Sequence, residues 1–439
     1  MTETITLQNG IRVVLEPMDG VASVAVGVWV NAGSVFESAR IAGISHFIEH
    51  MLFKGTKRRT AAQIAAEMDA IGGNLNAFTS KECTCYHVKA LGEDLEKAVD
   101  MLADIVLHST LAAEDIAREK GVVLEEIAMT ADSPEDLVFE RAGSAYFADT
   151  PLCGEILGTE KSVQGLSRED LVSYMQKHYT AENMVIAVAG SFSRDTLLAL
   201  LEQSFASAAH STLHPVPKVT PQGGLRTDLV QKDVEQVNTC LVFPGAALGT
   251  EDYYALAVLS NILGGSMSSR LFQHIREQRG LAYSVYSYPM SYRGTGNLCL
   301  YAGSSDAQAA EVLQLMLEEI DDLLQNGFTE EEFARCKQQL KGGFLLGMES
   351  SMAHMNALGK NMLLLGKEYH LETTLNRIEC VTMQDVERIC KTVFQKELGA
   401  FAAVGRLKSC KAALESRIQD WWNEHDRQAT VPDDGNANG

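Results

Sequence analysis

No stretch of this 439-residue chain approaches the roughly 20 consecutive apolar residues that a membrane-spanning helix requires. Residues 1–7 have neither the basic and apolar regions of a secretory signal nor an Arg-rich presequence. Positive charge is scarce as well: Lys and Arg number 37 against 58 Asp and Glu, a formal net charge of −21. That sign repels a phosphate backbone, so nucleic acid is not expected as a partner. Nine cysteines, an odd number scattered between positions 83 and 410, make no disulfide framework. With 46% hydrophobic residues the chain is long enough to build two or three cores without one. These absences together point to a cytoplasmic protein with no membrane partner.

The apolar residues that are present alternate first with a period of two. Ile5 and Leu7 precede Asn9-Gly10, and Ile11, Val13 and Leu15 follow it, which predicts a β-hairpin. Residues 23–30 read as a strand that ends at the corner Asn31-Ala32-Gly33-Ser34 and leads into a helix over 41–53 with Gly55 as its cap. A second helix begins at the capping Thr60 and ends before Gly72-Gly73. Residues 74–89 then read as extended, with Thr79, Thr84, Tyr86 and Val88 as β-formers. Helices are expected over 94–107 and 113–129.

Residues 206–224, rich in Pro, Gly and small side chains, mark an inter-domain linker. Similar text recurs on either side of it. The apolar runs 184–190 and 399–405 close the two halves, and the strand and corner at 24–34 have a counterpart at 239–249, each followed by an amphipathic helix. The expectation is a duplicated α+β architecture: one domain over 1–205, a second over 225–415, and a frayed polar tail over 416–439. Acidic runs at 318–322 and 330–332 read as solvated helix faces.

Chemistry concentrates in His46-Phe47-Ile48-Glu49-His50. Four residues of separation put both imidazoles on one helical face, one turn apart, where they can chelate one Zn²⁺. Glu49 is then close enough to take a proton from a metal-bound water. A third ligand is needed, and the helix over 113–129 offers Glu119, Glu125 and Glu126, of which Glu119 and Glu126 share a face after two turns. Two histidines and one glutamate with an open fourth position form a catalytic rather than a structural zinc arrangement. A carboxylate such as Glu119 can instead orient a ligand histidine from behind. Cys83, Cys85 and His87 alternate on one face of an extended segment, but a spacing of about 7 Å is wide for one ion, so they read as packing residues. His108, His178 and His354 have no spaced partner and read as core or surface residues.

The chain resembles the pitrilysin-type metallopeptidases, whose inverted zinc motif is His-x-x-Glu-His. It is most similar to the branch of roughly 400 residues that includes the mitochondrial processing peptidase β subunit and its bacterial relatives. The resemblance implies two homologous α/β-roll domains, each a mostly antiparallel sheet packed with helices, of which the N-terminal one is catalytic. In that family the third ligand is a Glu about 76 residues after the second His, which falls on Glu126, with a supporting Glu seven positions earlier, at Glu119. Glu49 is implied as general base, with one Zn²⁺ per chain. Asn76, Ala77 and Phe78 match the family's edge strand, which receives an extended substrate as an added strand. Arg276 and Tyr283 match the Arg and Tyr, seven residues apart, that anchor the substrate backbone and stabilise the developing oxyanion.

The second half reads Ala257-Val258-Leu259-Ser260-Asn261-Ile262-Leu263 where the zinc motif would recur, so the duplication has one metal-binding half. Relatives of this kind pair up, which implies a homodimer whose partner closes its C-terminal domain over the zinc, and a closed chamber that admits short or unfolded peptides. The expected function is zinc-dependent endopeptidase action. Two alternatives stand beside it: a non-catalytic scaffold or chaperone-like subunit of the same fold, and a processing subunit that needs a different partner.

Overall fold

The structure, a computed structural model, describes residues 2–395 and 398–429. The alternation around Asn9-Gly10 folds as a hairpin in which β1 (Glu3–Thr6) pairs antiparallel with β2 (Arg12–Pro17). Residues 23–30 form β3 (Ser23–Val30). The extended stretch 74–89 is two strands rather than one, β4 (Asn74–Thr79) and β5 (Thr84–Leu91), because Ser80 and Cys83 bond across a turn between them. The run 184–190 is β6 (Met184–Gly190). These six strands make one sheet in the order β1-β2-β6-β3-β5-β4, in which only β2 and β6 run parallel.

A second sheet repeats this arrangement. Its strands are β7 (Gly224–Gln231), β8 (Val237–Pro244), β9 (Ala282–Tyr292), β10 (Thr295–Ser304) and β11 (Leu398–Gly405), in the order β7-β11-β8-β10-β9. Taken in chain order, β7 to β11 occupy the places of β2 to β6, and β7 and β11 form the parallel pair. The fold is therefore mixed α/β, with two mostly antiparallel sheets packed against helices, as the duplicated text implies.

Helices cover each sheet in two ways. In the first sheet, Val24, Val26, Val28 and Val30 point into a core shared with α1 (Ile44–Leu52), α2 (Ala61–Ala70), α3 (Leu95–His108) and α4 (Ala113–Asp132). Thr60 caps α2 with its side chain on the Gln63 N–H, in a reciprocal capping box. α1 starts at Ile44 rather than residue 41, because Gly43 at φ 88° breaks the helical backbone after a single 3₁₀ turn, Ala39–Ile41. Its C-cap is Phe53, so Gly55 lies beyond the helix end.

The opposite face of the first sheet is covered by a helix from far along the chain, Ser351–Leu365. Met355 Sδ accepts from the Trp29 indole N–H at 3.4 Å. Two glycines make that approach possible: a Cβ at Gly27 would lie 2.3 Å from Met355 Sδ, and one at Gly359 would lie 2.1 Å from the Trp29 ring. Conversely, α5 (Pro134–Tyr146) packs on the second sheet, with Phe139 against the rings of Tyr286, Tyr288 and Tyr301. The chain forms two compact units: Met1–Met129, Gly154–Lys218 and Gly342–Asn376 make one, and Thr130–Cys153, Val219–Lys341 and Arg377 onward make the other. The passage at Lys218 lies within the linker 206–224, but the units differ from the stretches 1–205 and 225–415 by this exchange of segments. Periodicity marks a helix as amphipathic without saying which sheet it covers.

The expected tail is a correction. Residues 416–429 belong to the helix Lys411–Ala429, and Ile418, Trp421 and Trp422 are buried in the second core, with the Trp421 indole N–H donating to Asp321 at 2.9 Å. Three large side chains at helical spacing outweigh the polar residues around them. Residues 430–439 lie outside the described residues. The acidic run 318–322 is not wholly solvated either, since Glu319 is buried and Asp321 holds that indole. Among the described residues no disulfide is formed, and no helix is long and apolar enough to cross a membrane.

His354, on the covering helix, lies with Nδ1 3.0 Å from Glu16 Oε2 at the end of β2. The Glu16 hydrogen bond raises the imidazole pKa against the opposing effect of burial. A raised folded-state pKa contributes stability fully below the unfolded value of about 6.5 and loses it as pH rises through the folded value. Urea unfolding of the parent and His354→Gln should therefore show a larger stability gap near pH 6 than near pH 9, by about 1 kcal/mol or less for a single partly buried pair. An equal gap at both would mean that the pair does not act through charge.

Candidate metal centre

In α1 the apolar side chains Ile44, Phe47, Ile48, Met51 and Leu52 are all buried in the first core, which fixes the rotation of the helix about its axis. The remaining face carries His46, Glu49 and His50. The two imidazole centroids lie 4.5 Å apart. α4 runs past them and presents Glu126, whose Oε2 is 3.5 Å from His46 Nε2 and 3.4 Å from His50 Nε2. Glu119, two turns earlier on α4, is buried and accepts at Oε1 from His50 Nδ1 at 2.9 Å, while its Oε2 pairs with Lys54 Nζ at 2.8 Å. Glu125 is exposed.

This donor set suits a zinc ion. One potential ligand atom from each of His46, His50 and Glu126 lies within 4.8 Å of the others, and among the described residues no other group of three such side chains converges. Glu119 places the His50 proton on Nδ1, which leaves the Nε2 lone pair toward Glu126. Burial, and secondarily the neighbouring His50, push the His46 pKa down to about 4, so this imidazole is neutral and able to ligate at neutral pH. Cys83, Cys85 and His87 make no such group. Cys83 and Cys85 are buried, and burial pushes the Cys85 thiol well up.

Glu49 occupies the same face without facing the ligand cluster alone. Thr79, the last residue of β4, donates its hydroxyl to Glu49 Oε2 at 2.5 Å. Burial raises the Glu49 pKa, opposed by this hydrogen bond and by His50. Among the described residues β4 is the edge of its sheet and pairs only with β5, which leaves its outer side open to another strand. Leu75 and Ala77 pack toward the core, whereas Asn76 and Phe78 are exposed. Phe78 stands edge-on to Trp29, with ring centroids 5.4 Å apart. The Ala77 N–H is held by its neighbour's Asn76 Oδ1 at 2.8 Å, so an incoming strand must displace that side chain.

Arg276 and Tyr283 belong to the other compact unit. Arg276 lies in a π-helical turn, Phe272–Glu277, and Tyr283 is the second residue of β9. The guanidinium sits 4.7 Å from the Phe272 ring centroid and 5.3 Å from that of Tyr283, a cation–π arrangement that gathers the two residues at one place. Even so, Tyr283 is 74% exposed, an unusual state for a large aromatic side chain.

Three contacts at the centre escape the sequence reading: Thr79 on Glu49, Lys54 on Glu119, and Glu37, whose carboxylate meets the N-terminus of α1. Lys54 follows His50 by four residues and so was detectable from helical spacing, whereas Glu37 carries no spacing signal at all. Removing the charge behind His50 should weaken the centre without emptying it. In Glu119→Gln, zinc affinity at neutral pH, measured by competition with a chromophoric chelator, should fall by about 10- to 100-fold. An unchanged affinity would deny Glu119 that role.

Comparison with known proteins identifies the family. Residues 12–160 match the profile described as Insulinase (Peptidase family M16), and residues 165–340 match that of the Peptidase M16 inactive domain. An uncharacterized zinc protease of Bacillus subtilis, YmxG, is 42% identical over 398 residues, spanning 90% of this chain and 97% of that protein. An uncharacterized zinc protease of Mycobacterium tuberculosis, Rv2782c, is 43% identical over 399 residues, spanning 90% of this chain and 91% of that protein. The crystal structure of a protease from Helicobacter pylori shares the fold, with a TM-score of 0.85 at 24% identity, covering 92% of this chain and 99% of that one. With identity above 40% along nine-tenths of its length, and both halves matching profiles of one family, the chain belongs to peptidase family M16, the pitrilysin-type metallopeptidases.

Proposed function

We propose that this protein is a zinc-dependent endopeptidase of short or unfolded peptides, holding one Zn²⁺ on His46, His50 and Glu126. The observation that carries this reading is the joining of two features by one hydrogen bond: Thr79, at the end of the open edge strand β4, reaches Glu49 on the metal-site face of α1. A peptide added alongside β4 would run directly past that carboxylate.

When bound, zinc supplies Lewis acidity toward water and toward the scissile carbonyl. The chain's own residues do the rest. The backbone of Asn76, Ala77 and Phe78 binds the peptide in extended form, which selects for segments free to surrender a strand. Glu49 takes the proton from the attacking water and passes it to the leaving amine. The Thr79 hydroxyl orients Glu49 and favours its ionised form, and Glu119 holds His50 in the ligating tautomer. Arg276 and Tyr283 anchor the substrate backbone and stabilise the oxyanion, supplied by the partner's C-terminal domain in a cytoplasmic homodimer that encloses the substrate in a chamber. The complete set of His46, Glu49, His50 and Glu126 favours this reading over a non-catalytic scaffold, and the presence of Arg276 and Tyr283 in this same chain favours it over a subunit that needs a different partner.

Purified protein should cleave a quenched fluorescent peptide library, lose that activity to a chelator, and lose about 10²- to 10⁴-fold in kcat on Glu49→Gln while still binding zinc. A metal-loaded, folded dimer that cuts nothing would transfer the assignment to the scaffold or to the subunit awaiting another partner. Thr79→Val deletes a hydrogen bond to the ionised form of Glu49 and so should raise its pKa. The acid limb of the pH profile of kcat/KM should move to higher pH, and a limb that stays in place or moves down would remove Thr79 from the mechanism.

A further inference from the structure

The helix that carries His46, Glu49 and His50 has no capping side chain at its own N-cap. That position is Gly43, at φ 88°, and the first intrahelical donor is Phe47 N–H, to the Gly43 carbonyl at 2.9 Å. The N–H groups of Gly43, Ile44, Ser45 and His46 therefore precede the helical ladder. No side chain at residue 43 could serve them, since a Cβ there would lie 2.4 Å from the Leu157 carbonyl oxygen. Gly158 is equally confined, with its virtual Cβ 2.3 Å from the Ala42 carbonyl oxygen.

Glu37 takes the place of the missing cap from six residues upstream. Its Oε2 accepts from Gly43 N–H at 2.6 Å and its Oε1 from Ser45 N–H at 2.9 Å. A carboxylate at this end also meets the positive pole of the helix dipole. The residue it grips is the one before His46, and the Ser45 hydroxyl is itself bonded to Tyr174 Oη at 2.8 Å. The same upstream segment is fastened to the turn between β4 and β5. Val35 N–H donates to the Lys81 carbonyl at 2.9 Å, and a Cβ at Gly33 would lie 2.5 Å from the Ser80 carbonyl oxygen. The metal-site helix and the edge hairpin thus take their positions from one stretch of chain, residues 33–37.

We propose that Glu37 is a positioning residue of the metal centre, which fixes the N-terminal turn of α1 and thereby the aim of His46 and His50 at Glu126. The inference rests on the metal assignment made above. It does not depend on what the centre hydrolyses.

Zinc affinity by chelator competition, and the visible spectrum of the cobalt-substituted protein, test it on the full chain. Glu37→Ala should weaken zinc by about 10- to 100-fold and alter the cobalt spectrum. Glu37→Gln keeps one carbonyl acceptor but turns an amide N–H₂ toward a backbone donor, and should fall between it and the parent. The control is Leu201→Ala, a fully buried side chain of the helix Arg194–Ser204, which should lower Tm while leaving affinity and spectrum unchanged. Parent-like affinity and spectrum in folded Glu37→Ala would overturn the proposal, as would an equal loss in Leu201→Ala. If Glu37→Ala does not fold, Glu37→Gln decides between the same outcomes. A parent that binds zinc through His46 but cleaves no peptide would sink the peptidase reading and leave this one standing, whereas a parent without His46-dependent zinc binding overturns both.

Discussion

A helix of nine residues has too few internal hydrogen bonds to hold two imidazoles and a carboxylate in a fixed orientation by itself. In this protein the orientation comes from outside the helix. Five apolar side chains of α1 are sunk in the first core, and α4 presents Glu119 and Glu126 along the remaining face. The core thus determines which way His46, Glu49 and His50 face, and the ion-binding geometry follows. Lys54 balances Glu119 from the turn after His50, so the carboxylate behind that imidazole is buried with its charge compensated.

The duplicated sheets show how one architecture supports two roles. Leaving β1 aside, both have the same strand order, with one parallel pair, and each has a helix after its central strand. In the second unit that helix, Glu251–Leu263, places Ala255, Leu256, Val258, Leu259, Ile262 and Leu263 in its core and has no His-x-x-Glu-His motif. The second unit instead displays Arg276 in the turn Phe272–Glu277 and Tyr283 near the start of β9, the strand that corresponds to β4. The two edge strands that correspond in the duplicated fold thus differ in the side chains they display. Fold and chemistry are separable in this way because the sheet is held by its apolar faces, while the site residues occupy positions that the core does not need.

Exchange of covering helices is the largest departure from a reading by halves. α5 lies early in the chain and covers the second sheet, whereas Ser351–Leu365 lies late and covers the first. The partners are specific: Gly27 and Gly359 are the only residue type that admits Met355 and Trp29 at these distances. Neither glycine announces that role, because each is explained only by an atom hundreds of residues away.

The sequence by itself determined what depends on short spacing. His46 and His50 share a face because four residues make about one turn, Glu119 and Glu126 share one because seven make about two, and Asn9-Gly10 makes a hairpin because its backbone tolerates the turn. The resemblance to pitrilysin-type enzymes rests on the same local spacings and on one longer interval, from His50 to Glu126. Tertiary structure alone decided what depends on distant approach: that Thr79 bonds Glu49, that Glu37 supplies the cap denied to Gly43, that each sheet borrows a helix from the other half, and that Trp421 and Trp422 join a core instead of a frayed tail. Periodicity is a property of one segment, and it reports that a face is apolar or polar. Which surface that face meets is settled only when the whole chain has packed.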